Sequence, residues 1–178
     1  MGALVDLPLD TPAGCAQQQR QYLTFRVQQD MYAVASRYVR EILEYDQVTQ
    51  VPMMPSLVRG VINLRGAVVP IIDLAERFSL GSTELGPRTC IVIIELQDGE
   101  EAQLMGALVD AVTAVAEIEP RALRQAPAFG SRVPPEYIED LARVDERFLT
   151  LLRMEQVLNV DQIAALAGQR NTPRLSLV

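Results

Sequence analysis

Apolar and polar residues alternate from Tyr22 to Val27, and apolar residues resume from Met31 to Ala35 after the polar triplet Gln28, Gln29 and Asp30. Alternation puts one face of a strand into a core, and a short polar break between two such runs predicts a β-hairpin. Ser36 then predicts the cap of a short helical turn in which Val39 shares a face with Ile42 or Leu43, before an extended stretch from Val48 to Val51 runs into Pro52. From Gly60 to Leu64 and from Ala67 to Asp73, two apolar runs flank a tight turn at Arg65 and Gly66. Asp73 is placed to cap a short helix over Leu74 to Phe78 that ends towards Gly81. Strands are predicted over Thr89 to Leu96 and Ala102 to Leu108, across the polar loop Gln97 to Glu101, and again over Val112 to Ile118.

A proline-punctuated linker from Pro120 to Pro135 follows. Beyond it, Tyr137 to Val144 and Arg147 to Arg153 read as a strand pair turning at Asp145 and Glu146, although the periodicity of the first member also fits a helix. Met154 to Asn159 suits a short helix, and Asp161 starts a last one that ends at Gly168. Residues 1–20, with Pro8, Pro12, Gly14 and three successive glutamines, read as a mobile tail; residues 21–160 hold the fold, and 161–178 a final helix and frayed end. No repeat of solenoid period is visible. Many short strands with turn signals roughly every 8 to 12 residues predict a mainly β fold, a small barrel or sandwich with peripheral helices.

Composition narrows the chemistry. The 178 residues suit one domain or one unit of two small subdomains, and 49% hydrophobic with 22% charged residues favours neither a wholly disordered chain nor a fibre. All 16 basic residues are arginine, and the chain has no histidine. Without histidine there is no Ser-His or Cys-His nucleophile and no imidazole metal ligand; without lysine there is no Schiff base and no phosphate-loop lysine. A net charge of −7 with scattered arginines lacks the basic stripe that nucleic acid requires. Cys15 and Cys90 fit neither a disulfide framework nor a zinc spacing. No cofactor or metal is therefore expected.

Targeting signals fail one by one. Pro12 to Cys15 faintly resembles a lipoprotein cleavage site, but Asp6 and Asp10 interrupt the preceding stretch and no basic residue opens it. Asp6 also stands where a myristoylation signal needs Ser or Thr. The run from Ala102 to Ala116 is too short for a bilayer and carries Asp110. An intracellular chain without membrane insertion is expected. What remains for an enzyme is a carboxylate pair, Glu95 with Asp110 or Asp73 with Glu76, and nothing in the sequence places either pair in one cleft.

The motifs in order and spacing resemble the CheW family. They run from Val39 to Ile42, Tyr45 to Thr49, Val51 to Pro52 with Pro55, Val58 to Gly66, and Val69 to Leu74 with Arg77 and Phe78. The likeness continues through Gly106 to Asp110 and Arg124 to Pro127 to the closing segment from Leu151 to Glu155. The resemblance implies two intertwined five-stranded β-barrels with a few short helices. It also implies a non-enzymatic cytoplasmic adaptor that couples chemoreceptors, through their cytoplasmic tips, to the regulatory domain of a CheA-type histidine kinase. By position it marks Arg65, Val39, Glu41, Gly60 and Val115 for receptor contact, and Arg124 and Phe129 for a second kinase contact that closes mixed rings. Each has a structural alternative. Arg65 can instead pair internally with Asp73 or Glu41, the valines can be core, Gly60 can serve backbone conformation alone, and Phe129 can anchor a satellite core.

Overall fold

The computed structural model describes residues 20–125 and 132–170. The elements run β1 (Arg20–Val27), β2 (Asp30–Ala35), β3 (Val39–Glu44), β4 (Val58–Leu64), β5 (Ala67–Asp73), α1 (Leu74–Arg77), β6 (Cys90–Asp98), β7 (Glu101–Val109), β8 (Ala111–Ile118), β9 (Leu123–Arg124), β10 (Ile138–Val144), β11 (Arg147–Leu152), α2 (Met154–Val157) and α3 (Val160–Arg170). The hairpins lie where the apolar runs and their turns place them, and Asp73 caps α1 by accepting from the Ala75 amide at 3.0 Å. The helical turn expected after Ser36 shrinks to one 3-10 turn, Ser36–Tyr38, and Val39 to Glu44 form a strand. Pairing with β6, Ile42 opposite Val92, overrides the local helical spacing. The segment before Asp145 is likewise a strand rather than a helix.

Two sheets result. The first has the order β8-β1-β2-β11-β10-β9 and the second β3-β6-β7-β5-β4. The chain starts in the first sheet, builds the whole of the second and returns. The N-terminal hairpin thus lies between strands from the C-terminal half, the intertwining that the resemblance implies. The ladders do not close as barrels. In the second sheet, Thr49 exchanges backbone hydrogen bonds with Val61 at 2.9 and 2.8 Å and so occupies the outer margin of β4. In the first, the two-residue β9 covers β10 in the same way and makes a sixth strand.

The sheets repeat one another. Five strands follow the same order, with a parallel pair at the same place, β2·β11 in one and β5·β7 in the other. At a constant spacing, β10–β11–α2 repeats β4–β5–α1. The register slips between Val58 and Gly60 and between Ile138 and Asp140, and the turns Arg65-Gly66 and Asp145-Glu146 all have positive φ. Asp73 N donates to Leu57 O at 2.7 Å, and Arg153 N to Tyr137 O at 2.8 Å. Val68 and Phe148 are exposed at matching positions.

Each sheet has a private core, Ile62, Val69, Ile71, Ile91, Ile93 and Leu108 in the second and Tyr22, Ala33, Ile118, Ala142, Leu149 and Leu151 in the first. Their other faces meet in a larger shared core. Burial on both faces explains why Cys90 to Leu96 reads as a nearly continuous apolar run instead of an alternating one. A chain of rings crosses the shared core, Phe25 to Tyr32 at 6.3 Å, Tyr32 to Phe78 at 5.4 Å and Phe78 to Tyr137 at 6.0 Å. Arg77, at the end of α1, lies over Tyr137 at 4.9 Å and donates to the carbonyls of Val157 at 2.7 Å and Gln156 at 3.2 Å. It thereby caps the repeated helix α2 and ties one half to the other.

Burial pushes the Tyr32 phenol up to about 12; Asp30 adds to the rise and Arg132 opposes it. A folded value above the ordinary 10 means that the neutral ring's contribution is intact below pH 10 and is lost as pH climbs towards 12. A two-unit gap corresponds to about 3 kcal/mol. Stability measured by urea denaturation is expected to fall between about pH 10 and 12, with tyrosinate absorbance of Tyr32 rising only as the fold is lost; a Tyr32→Phe variant that shows the same alkaline fall refutes the assignment.

Candidate functional site

The turn joining β4 to β5 carries Arg65, which with Arg124 is one of the two exposed predicted contacts among the described residues. Arg65 and Gly66 have φ of 52° and 88°, the paired positive values of a type I′ hairpin turn, and Asn63 Oδ1 accepts from the Gly66 amide at 2.9 Å. The Arg65 side chain is 79% exposed, and its Nη1 lies 2.9 Å from Glu41 Oε1. Glu41 stands on β3 and Arg65 follows β4, the two margins of one sheet, so the ion pair requires that sheet to curl back on itself. An exposed pair of this kind contributes about 0–1 kcal/mol. Its effect is to aim the guanidinium while leaving most of its donors free for a partner.

Of the two internal partners open to Arg65, Glu41 is the one observed, because Asp73 is fully occupied elsewhere. The buried Asp73 carboxylate accepts from Arg59 Nε at 3.1 Å, Thr83 N at 2.9 Å and Thr83 Oγ1 at 2.6 Å, besides the cap to Ala75. Sequence reasoning missed Arg59; only the register of β4 on β5 places it over Asp73.

The other predicted receptor residues divide. Val39 is buried in the shared core next to a bulge between Val39 and Glu41, so it faces inward while Glu41 reaches the surface corner. Gly60 has φ of +152°, and a Cβ there would press on the Thr49 carbonyl, 2.8 Å from its carbon, so glycine is what allows the Thr49 bridge. Val115 lies on β8 of the other sheet, opposite Leu23, half-buried against the shared core. Arg65 and Glu41 are thus in contact, Gly60 shares their sheet, and Val115 does not. Arg124 is exposed on β9, its Nη1 donating to the carbonyls of Arg121 at 2.6 Å and Leu123 at 2.9 Å. Phe129 lies outside the described residues.

Sequence reasoning also passed over three exposed apolar side chains, Val51, Met53 and Met54, between Thr49 and Pro55. Two successive methionines bracketed by Pro52 and Pro55 were the available signal.

The carboxylate pairs are engaged structurally. Glu95 binds Arg40 at 3.1 Å, Asp110 accepts from the Gln28 amide, and Glu76 accepts from Ser56 and Ser82. Burial pushes the Cys90 thiol up, which leaves it a poor nucleophile. Among the described residues no group of three or more His, Cys, Asp or Glu could hold a metal ion, and no helix is long and apolar enough to cross a membrane.

Comparison with known proteins places this geometry. The CheW-like domain model matches residues 21–162. The chain is 31% identical to the chemotaxis protein CheW of Klebsiella aerogenes over 145 residues, 82% of this chain and 85% of that one. It is 31% identical to CheW of Bacillus subtilis over 137 residues, 77% and 85% of the two chains. The crystal structure of the scaffolding protein TtCheW from Thermoanaerobacter tengcongensis superposes with a TM-score of 0.72 at 24% identity, covering 87% of this chain and 94% of that one, a likeness of fold. The chain belongs to the CheW-like family: it is a chemotaxis adaptor, a non-enzymatic scaffold between chemoreceptors and a CheA-type kinase.

Proposed function

We propose that the Arg65–Glu41 corner is where this adaptor meets the cytoplasmic tip of a chemoreceptor, and that the chain separately binds the regulatory domain of the CheA-type kinase, with Arg124 and Phe129 forming a second kinase contact. The adaptor works in the cytoplasm, recruited to receptor arrays without inserting into a membrane. The observation that carries the receptor assignment is the 79% exposure of an arginine held outward by Glu41 on a rigid two-residue turn. A preoriented guanidinium with free donors suits a carboxylate or the carbonyls at a helix end. Val39 and Gly60 shape the corner from within, and Val115 extends the surface from the other sheet. By fixing receptor tips and kinase in one geometry, the adaptor lets receptor conformation bias the kinase through differential contacts, and many weak contacts gain strength in an array.

Arg65→Glu is expected to weaken association with a receptor cytoplasmic fragment by about tenfold or more, since it places two like charges at the corner. Calorimetric titration with the regulatory domain of the kinase encoded beside this gene should give one-to-one binding unchanged by the substitution. Equal loss of both associations, or a lowered melting temperature, would make Arg65 a structural residue and remove the assignment.

A further inference from the structure

Both arms of the Arg65–Glu41 corner run to one short helix. Tyr38 immediately precedes β3, the strand of Glu41, and its hydroxyl donates to Glu155 Oε1 on α2. Arg77 closes α1, which follows directly on β5, the strand that leaves the Arg65 turn. Besides its bonds to the last carbonyls of α2, its guanidinium donates to Gln162 Oε1 on α3 at 2.7 Å. α2 itself follows β11, which lies between β2 and β10 in the first sheet. Resting on the reading of the corner as the receptor contact, we infer that Tyr38 and Arg77 are positioning residues for signal coupling, which together carry receptor docking to α2 and, through β11, into the first sheet.

α2 is held weakly from within. Its four residues are far fewer than a helix needs to persist in water, and Arg153 at its start provides no side-chain cap. Its counterpart in the repeat, α1, has the Asp73 cap. The place of α2 therefore depends on the packing of Met154, Val157 and Leu158 in the shared core and on the two side chains that reach it from the second-sheet unit. They grip opposite ends, Tyr38 at Glu155 in the first turn and Arg77 at the last carbonyls. A displacement of β3 or of the β4–β5 hairpin is thus delivered to one end of α2 or the other. A close-packed core yields by changing arrangement rather than by stretching, and contiguous packing and hydrogen bonds are what couple distant sites. Arg77 also lies over Tyr137, just before β10, and β10 pairs with β9 at Arg124. The path so ends beside the exposed arginine of the first sheet.

The test is amide hydrogen exchange of the full adaptor with and without a saturating cytoplasmic fragment of the receptor encoded beside this gene. It compares wild type, Arg77→Met, Arg77→Lys and Tyr38→Phe, with receptor affinity and melting temperature measured on each. Receptor binding is expected to change exchange in β10 and β11 of the wild type by about fivefold or more. Arg77→Met and Tyr38→Phe should bind the fragment within about twofold of wild type yet lose about half or more of that response, and Arg77→Lys, which keeps a charge and donors, should restore it. No response in wild type, or an undiminished one in both Arg77→Met and Tyr38→Phe, overturns the inference. So does a loss of receptor affinity that tracks a lowered melting temperature, which makes the two side chains structural. Undiminished receptor affinity in Arg65→Glu removes the corner reading and the inference with it. Lost affinity there, beside an intact response in Arg77→Met and Tyr38→Phe, removes the inference alone.

Discussion

Replacing Asp73 with alanine is expected to lower the stability of the fold by about 3 kcal/mol, the range seen when one partner of a buried ion pair is removed. The carboxylate is wholly buried and serves four donors on three elements, the Arg59 guanidinium, the Thr83 amide and hydroxyl, and the Ala75 amide at the start of α1. Alanine leaves all of them without their acceptor. Arg59 is 23% exposed and can recover some hydration, which holds the estimate at the lower end. Urea denaturation should show an earlier midpoint with an unchanged slope. A loss below about 1 kcal/mol would mean that water replaces the carboxylate freely and that the network is incidental.

Gly60→Ala is expected to cost about 2–4 kcal/mol, from a backbone conformation suited to glycine and from collision with main-chain atoms that cannot rotate away. The added methyl would meet the Thr49 carbonyl and lie 2.9 Å from Val48 Cγ1. Relief requires moving Thr49 off β4, so the two hydrogen bonds of that bridge are lost as well. Gly106→Ala provides the control. Its methyl would meet the far end of Ile71 and, 2.8 Å away, the Ile91 Cγ2 methyl, both side-chain atoms and no main-chain atom, and its cost should be smaller. If the two substitutions cost the same, the obstacle at Gly60 is not the backbone.

How much of this was legible in the sequence depends on the range of the interaction. Apolar runs broken by polar or glycine turns marked the β1–β2 and β4–β5 hairpins because their pairing is local in the chain. The misplaced helical turn at Ser36 shows the converse. Val39, Ile42 and Leu43 are spaced ambiguously, and β6, some fifty residues away by the chain count, decides the matter. The exposed arginine at a glycine turn was readable from type and spacing, whereas its choice of Glu41 over Asp73 depended on Arg59, whose place requires the strand register. The internal repeat was invisible for a physical reason. Its equivalent positions keep strand register and turn placement while side-chain chemistry changes, with Arg65 matched by Asp145, the buried Asp73 by the exposed Arg153 and Gly60 by Asp140.

The path of the chain between sheets also dictates an order of events during synthesis. Every strand of the second sheet lies in the continuous stretch from Val39 to Val109, so that unit can close soon after β7 leaves the ribosome. The first sheet cannot. Its β1–β2 hairpin emerges before the second sheet, yet the neighbour of β2 is β11, which emerges only after that sheet. The nascent chain therefore holds an open strand margin on β2 throughout most of its elongation, a surface able to recruit the wrong strand from another chain.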